Sequence, residues 1–132
     1  MAAHRHTVLI VEDNADTRDA LALIVDQEGY EVVIASSGRK ALATLSRGLC
    51  PCAILLDLEM PERDGYAFRR AQMMDPELSD IPVLVVSAGG YFNEVEARKL
   101  GMTTFFRKPM DLDAFLRAIG QHCRTNPSAG SP

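Results

Sequence analysis

Five short apolar runs, none long enough to complete a helix, recur along this chain and limit what it can fold into. They are Thr7–Val11 (TVLIV), Glu31–Ala35 (EVVIA), Cys52–Leu56 (CAILL), Ile81–Val86 (IPVLVV) and Thr104–Arg107 (TFFR). Rich in β-branched residues and nearly continuous in apolar character, they suit strands covered on both faces. The segments between them repeat at helical period. Leu21, Ile24 and Val25 share a face before Gly29, and Ala41, Leu42 and Leu45 follow Ser37, an N-cap residue type. Ala67 and Ala71 fit a helix opened by Asp64, and Val95 with Leu100 fits a short one ending at Gly101. Leu112, Phe115, Leu116 and Ile119 form the stripe of a last helix capped by Asp111. Regular β-α alternation predicts an α/β domain with a parallel sheet, right-handed crossovers and helices on both faces.

At 132 residues the chain makes one domain with a real core. Residues 7–123 are expected to form it. Residues 1–6 are read as an N-terminal tail, and the polar, breaker-rich 124–132 (RTNPSAGSP) as a flexible tail or linker. A net charge of −4 with no basic run argues against direct nucleic-acid binding, because no phosphate-neutralising surface is encoded. No apolar run approaches the length that crosses a bilayer, and MAAHRH lacks the apolar stretch of a secretory signal, so the expected setting is cytoplasmic. Cys50, Cys52 and Cys123 make an odd count and suggest no disulfide framework. A Cys-x-Cys with one distant thiol is a poor zinc site, so they read as reduced thiols at the edge of a core. His4 and His6 read as solvated residues of a polar terminus.

The chemistry lies where the strands end. In an open parallel sheet, ligands bind outside the carboxyl ends of the strands. The first run is followed by Glu12 and Asp13, the third by Asp57, the fourth by Ser87, and the fifth by Lys108-Pro109. Carboxylates converging from neighbouring strand ends repel one another, and a bound cation relieves that conflict. Oxygen-only ligands select a hard ion, and few carboxylates with room for water suit Mg²⁺. Beside the metal, Asp57 is placed to be a phosphoryl-accepting nucleophile, with Lys108 pairing one phosphoryl oxygen and the Ser87 hydroxyl donating to another. No histidine or glutamate is obviously placed as a general base, which favours a reactive phosphodonor.

The set Glu12-Asp13, Asp57 in DLEMPERDG, Ser87-Ala88 and Lys108-Pro109 resembles the receiver domain of two-component response regulators, over about Thr7 to Cys123. The resemblance implies a flavodoxin-like, doubly wound five-stranded sheet of order 2-1-3-4-5 with five helices, an order for which a receiver is a standard illustration. It implies phosphotransfer to Asp57 from the phosphohistidine of a histidine kinase or phosphotransfer protein. The same resemblance makes Glu12, Asp13, Asp57 and the backbone carbonyl of Glu59 the Mg²⁺ ligands, and Lys108 and Ser87 the phosphate contacts. It also implies a cis Lys108-Pro109 bond and a switch residue at Phe105, coupled to Ser87. The output surface for a downstream protein would be the face of the fourth helix, fifth strand and fifth helix. Two positions bear on rate: Glu59, two residues past the acceptor, and Gly89, two past Ser87. Gly89-Gly90 should loosen the loop before Tyr91-Phe92, an aromatic pair expected to be partly buried.

Taken singly, these residues have structural explanations. Glu12 and Asp13 could favour a helix start, Asp57 a turn, Ser87 a cap, and Lys108 solvent. Asp64-Gly65 needs no more than a turn and a helix start, and Met73-Met74 reads as gap-filling. Two other functions use overlapping chemistry. An aspartyl-phosphate phosphatase of the haloacid dehalogenase type would carry its DxD-type acceptor after the first strand, not the third. A receiver fold acting only as a phosphorylation-independent binding module would not require the complete residue set.

Overall fold

A computed structural model describes residues 6–88, 93–108 and 111–125. Five strands, β1 (Thr7–Val11), β2 (Glu31–Ala35), β3 (Ala53–Leu56), β4 (Val83–Ala88) and β5 (Thr104–Lys108), alternate with five helices. The helices are α1 (Ala15–Gln27), α2 (Gly38–Ser46), α3 (Asp64–Met73), α4 (Glu94–Lys99) and α5 (Leu112–Thr125). The sheet is wholly parallel and ordered β2-β1-β3-β4-β5, the doubly wound arrangement that the alternation and the family resemblance imply.

Side-chain alternation along the strands divides the core in two. Leu9, Val11, Ile54, Leu56 and Val85 pack with Leu45 of α2, Phe68 of α3 and Ala97 of α4. Val8, Ile10, Leu55, Leu84 and Val86 face the other way, against Leu21 and Val25 of α1 and Phe115 and Ile119 of α5. Each large aliphatic side chain so buried contributes about 1.5–3 kcal/mol, which makes the sheet a rigid base for whatever its ends carry.

The helix starts follow the sequence. Ser37 accepts from the Lys40 amide at 3.1 Å, and Asp111 from the Ala114 amide at 3.2 Å. Asn14 caps α1 by accepting from Thr17 at 2.9 Å. Some expectations are corrected. The fourth strand begins at Val83 rather than Ile81, because Pro82 has no N–H to donate and contributes only its carbonyl, to the Ile54 amide at 2.9 Å. On α3, Ala67 is exposed, and the buried face is Tyr66, Phe68, Arg69 and Gln72. Val95 is 66% exposed and Met74 85%, so neither fills the core.

Arg69 and Gln72 belong inside because they satisfy each other and the chain around them. Arg69 donates from Nε to the Leu100 carbonyl (2.8 Å) and from a terminal nitrogen to Gln72 Oε1 (2.7 Å). Gln72 donates in turn to the carbonyls of Leu78 and Ile81. Burial lowers the Arg69 pKa by desolvating the guanidinium.

The cysteines also depart from expectation. Cys52, just before β3, and Cys123, on the inner face of α5, are joined as a disulfide across 71 residues, while Cys50 is free and exposed. His6 does more than meet solvent: its carbonyl accepts from the Glu31 amide at 2.9 Å, and its Nδ1 is buried.

Candidate functional site

The register of β1 against β3 places Val11 beside Leu56, so the next residues on the two strands, Glu12 and Asp57, emerge as neighbours. Both are still tied to the sheet. The Glu12 amide donates to the Ala35 carbonyl (3.0 Å) and the Asp57 amide to the Val11 carbonyl (3.1 Å). The two residues are only 2% and 7% exposed, whereas Asp13 faces solvent. Carboxylate oxygens of Glu12, Asp13 and Asp57 all lie within 4.8 Å of one another. Three acids of one sign, two of them buried, form an oxygen-donor set that fits a hard divalent cation.

Backbone amides orient the acids. Glu12 Oε2 accepts from the Asn14 amide at 3.2 Å, and Asp57 Oδ1 from the Glu59 amide at 2.8 Å. The second bond closes a tight turn that sends the chain into a 3-10 turn at Pro61–Arg63, where Glu62 adopts φ 60°.

Gly65 has a purpose that reading it as a turn residue missed. A Cβ there would lie 2.6 Å from the Asp57 carbonyl oxygen and 3.0 Å from the Leu58 Cα, so only glycine lets α3 begin against the acceptor's own backbone. Asp64 is likewise more than a helix start. Its Oδ2 accepts from the Gly38 amide at 2.5 Å and ties α3 to the first turn of α2. The signal for both is Asp-Gly itself, but nothing local names the partner 26 residues away.

Ser87 is fully buried on β4, and its hydroxyl donates to Glu59 Oε1 at 2.5 Å. The Glu59 side chain thus engages the hydroxyl that the sequence assigns to phosphate. Phe105 lies beside Val85 in the β4–β5 register, half-buried against the core, with the Arg98 guanidinium 5.1 Å from its ring centroid. Tyr66 joins α3 to α4: its hydroxyl accepts from the Asn93 amide at 2.9 Å, and the Asn93 side chain caps α4 at the Glu96 amide. The Lys108 backbone pairs with Ala88 at the end of β5. The Lys108 side chain, the peptide bond to Pro109, and Gly89, Gly90, Tyr91 and Phe92 lie outside the described residues.

A family model described as the response regulator receiver domain matches residues 8–120. The chain is a response regulator receiver. It is 31% identical over 117 residues to the sporulation initiation phosphotransferase F of Bacillus subtilis, which covers 87% of this chain and 91% of that one. To the polar-differentiation response regulator DivK of Brucella ovis it is 32% identical over 114 residues, covering 86% and 92%. The crystal structure of a response regulator receiver protein from Pseudomonas putida superposes with a TM-score of 0.81 at 30% identity, covering 91% of this receiver and 99% of that chain. Two longer curated relatives are spanned over only 49% and 25% of their length. Receivers are phosphoacceptor switches of two-component signalling rather than enzymes with a turnover substrate, and they act with histidine kinases or phosphotransfer proteins and with downstream partners. Among the described residues of this receiver, no helix is long and apolar enough to cross a membrane.

Proposed function

We propose that Asp57 is the phosphoacceptor, taking a phosphoryl group from the phosphohistidine of a histidine kinase or phosphotransfer protein in the cytoplasm. One observation carries this reading: the oxygens of Glu12, Asp13 and Asp57 converge within 4.8 Å at the carboxyl ends of β1 and β3. The three side chains, with the Glu59 backbone carbonyl, would hold Mg²⁺. When bound, that ion offsets the negative charge of nucleophile and phosphoryl group. The Glu59 amide fixes the Asp57 carboxylate for in-line attack at phosphorus. The new O–P bond forms as the P–N bond to the donor histidine breaks, and the imidazole leaves with the electron pair.

Lys108 would pair one phosphoryl oxygen and Ser87 would donate to another. Ser87 must first release Glu59 Oε1, so the resting hydrogen bond and the phosphoryl contact are alternatives. That exchange would be a two-state element, and Phe105, beside Val85 two residues before Ser87 in the β4–β5 ladder, would be its packing readout. The face made by α4, β5 and α5 would then present the signal to a downstream protein.

Incubation with acetyl phosphate and Mg²⁺ should add one phosphoryl group to the intact mass, and Asp57→Asn should abolish the gain. An Asp57→Asn protein that is phosphorylated like the parent removes the assignment.

A further inference from the structure

The opposite end of the sheet carries a second group of ligand atoms that phosphotransfer does not use. His6, Cys52 and Cys123 each bring one ligand atom to a point where all lie within 4.8 Å of one another. They arrive from three elements. His6 leads into β1, Cys52 stands at the start of β3 with its amide bonded to the Thr7 carbonyl at 2.8 Å, and Cys123 follows Ile119 by one helical turn on the buried face of α5. Both cysteines are buried, and the Nδ1 of His6 is buried with no hydrogen-bond partner among the described residues. A buried imidazole nitrogen without a partner is unfavourable unless something occupies it, and a disulfide offers it no proton.

We propose that, with the sulfurs as thiolates, His6, Cys52 and Cys123 form a site for one thiophilic divalent cation of the Zn²⁺ class, its fourth position open to water. In the cytoplasm proposed above, exchange with a cellular dithiol reductant supplies two electrons and two protons to the Cys52–Cys123 disulfide, freeing both thiols and leaving the reductant oxidised to its own disulfide. The proposal rests on that reading only for the state of the sulfurs. Two thiolates and a neutral imidazole around Zn²⁺ carry no net charge, which suits a buried position. With Zn–S bonds of about 2.3 Å, tetrahedral coordination needs the sulfurs about 3.7 Å apart, a separation that side-chain rotation supplies from a Cα–Cα distance of 4.7 Å. Binding releases the two thiol protons to solvent. The ligands are nitrogen and sulfur, so the site selects against the Mg²⁺ that the acid cluster suits. Occupied, it ties the starts of β1 and β3 to the last turns of α5.

The test is Co²⁺ titration of the full chain, reduced with a phosphine and held in excess Mg²⁺. One equivalent should give a near-ultraviolet thiolate-to-cobalt charge-transfer band that Zn²⁺ removes. His6→Ala, which leaves both buried sulfurs in place, and Cys123→Ser should each weaken Co²⁺ binding by at least the about tenfold that loss of even an outer partner costs. Cys50→Ser should leave the band intact, as should Asp57→Asn, and protein prepared with the disulfide intact should show none. Absence of the band from the reduced parent overturns the proposal. So does a band that survives His6→Ala, or one that Cys50→Ser removes. Loss of acetyl phosphate labelling with the band retained would defeat the phosphoacceptor reading and leave the metal site standing.

Discussion

The two ends of one parallel sheet are built from opposite chemistries. At the carboxyl ends of β1 and β3 the side chains are hard oxygen donors, Glu12, Asp13 and Asp57, oriented by amides of the turns that follow. At the amino ends of the same two strands stand an imidazole and two sulfurs, with a helix brought against them from the far end of the chain. The acids stand just past the strand ends and leave Asp13 open to solvent, whereas the sulfurs come from a strand start and a buried helix face. The difference teaches a division of labour: parallel strands present one end for exchange and leave the other for anchorage.

The sharpest way to break the comparison is Asp57→Asn, which should remove phosphorylation completely while leaving the thiolate–cobalt band at the other end unchanged. If both signals fall together, the ends are not independent. Next in size is Gly65→Ala. The added Cβ would meet the Asp57 carbonyl at 2.6 Å, so thermal or urea unfolding should show a loss of about 1–3 kcal/mol, the usual scale of overpacking. Acetyl phosphate labelling of that variant should slow as well, because the strain falls on the acceptor's own backbone.

Arg69→Met tests the same helix, α3, away from the acceptor. It leaves Gln72 Oε1 and the Leu100 carbonyl without their donor and should cost about 1–3 kcal/mol in urea unfolding, with labelling of Asp57 preserved. Smallest is Asn14→Ala, which removes the α1 cap beside the acid cluster. It should cost about 1 kcal/mol, and since the Glu12 carboxylate is held by the backbone amide of residue 14, labelling should change little.

Much of the fold was legible because parallel strands buried on both faces are written as uninterrupted apolar runs. The bounds of β1 and β2 are those of TVLIV and EVVIA, and Glu12, Asp13 and Asp57 converge as their places after strand ends imply. What was not legible depends on partners distant in sequence. Arg69 and Gln72 look like surface residues until the carbonyls of Leu78, Ile81 and Leu100 are folded around them. Cys52 and Cys123 are 71 residues apart, and no spacing rule joins them to each other or to His6. The Glu59 side chain is a third case: its position near the acceptor was evident, but its hold on the Ser87 hydroxyl needed the meeting of two loops.

The hydrogen bond between the Tyr66 hydroxyl and the Asn93 amide has a mechanical consequence. Tyr66 follows Gly65, which lies against the Asp57 backbone, so Asn93, the N-cap of α4, is pinned to the same post as the acceptor. A rearrangement of α4 that keeps this bond must use Asn93 as a fulcrum. Displacement then grows along the helix toward Arg98, the residue poised over Phe105, and a small adjustment at the aspartate is geared up into a larger swing at the far end of a six-residue lever.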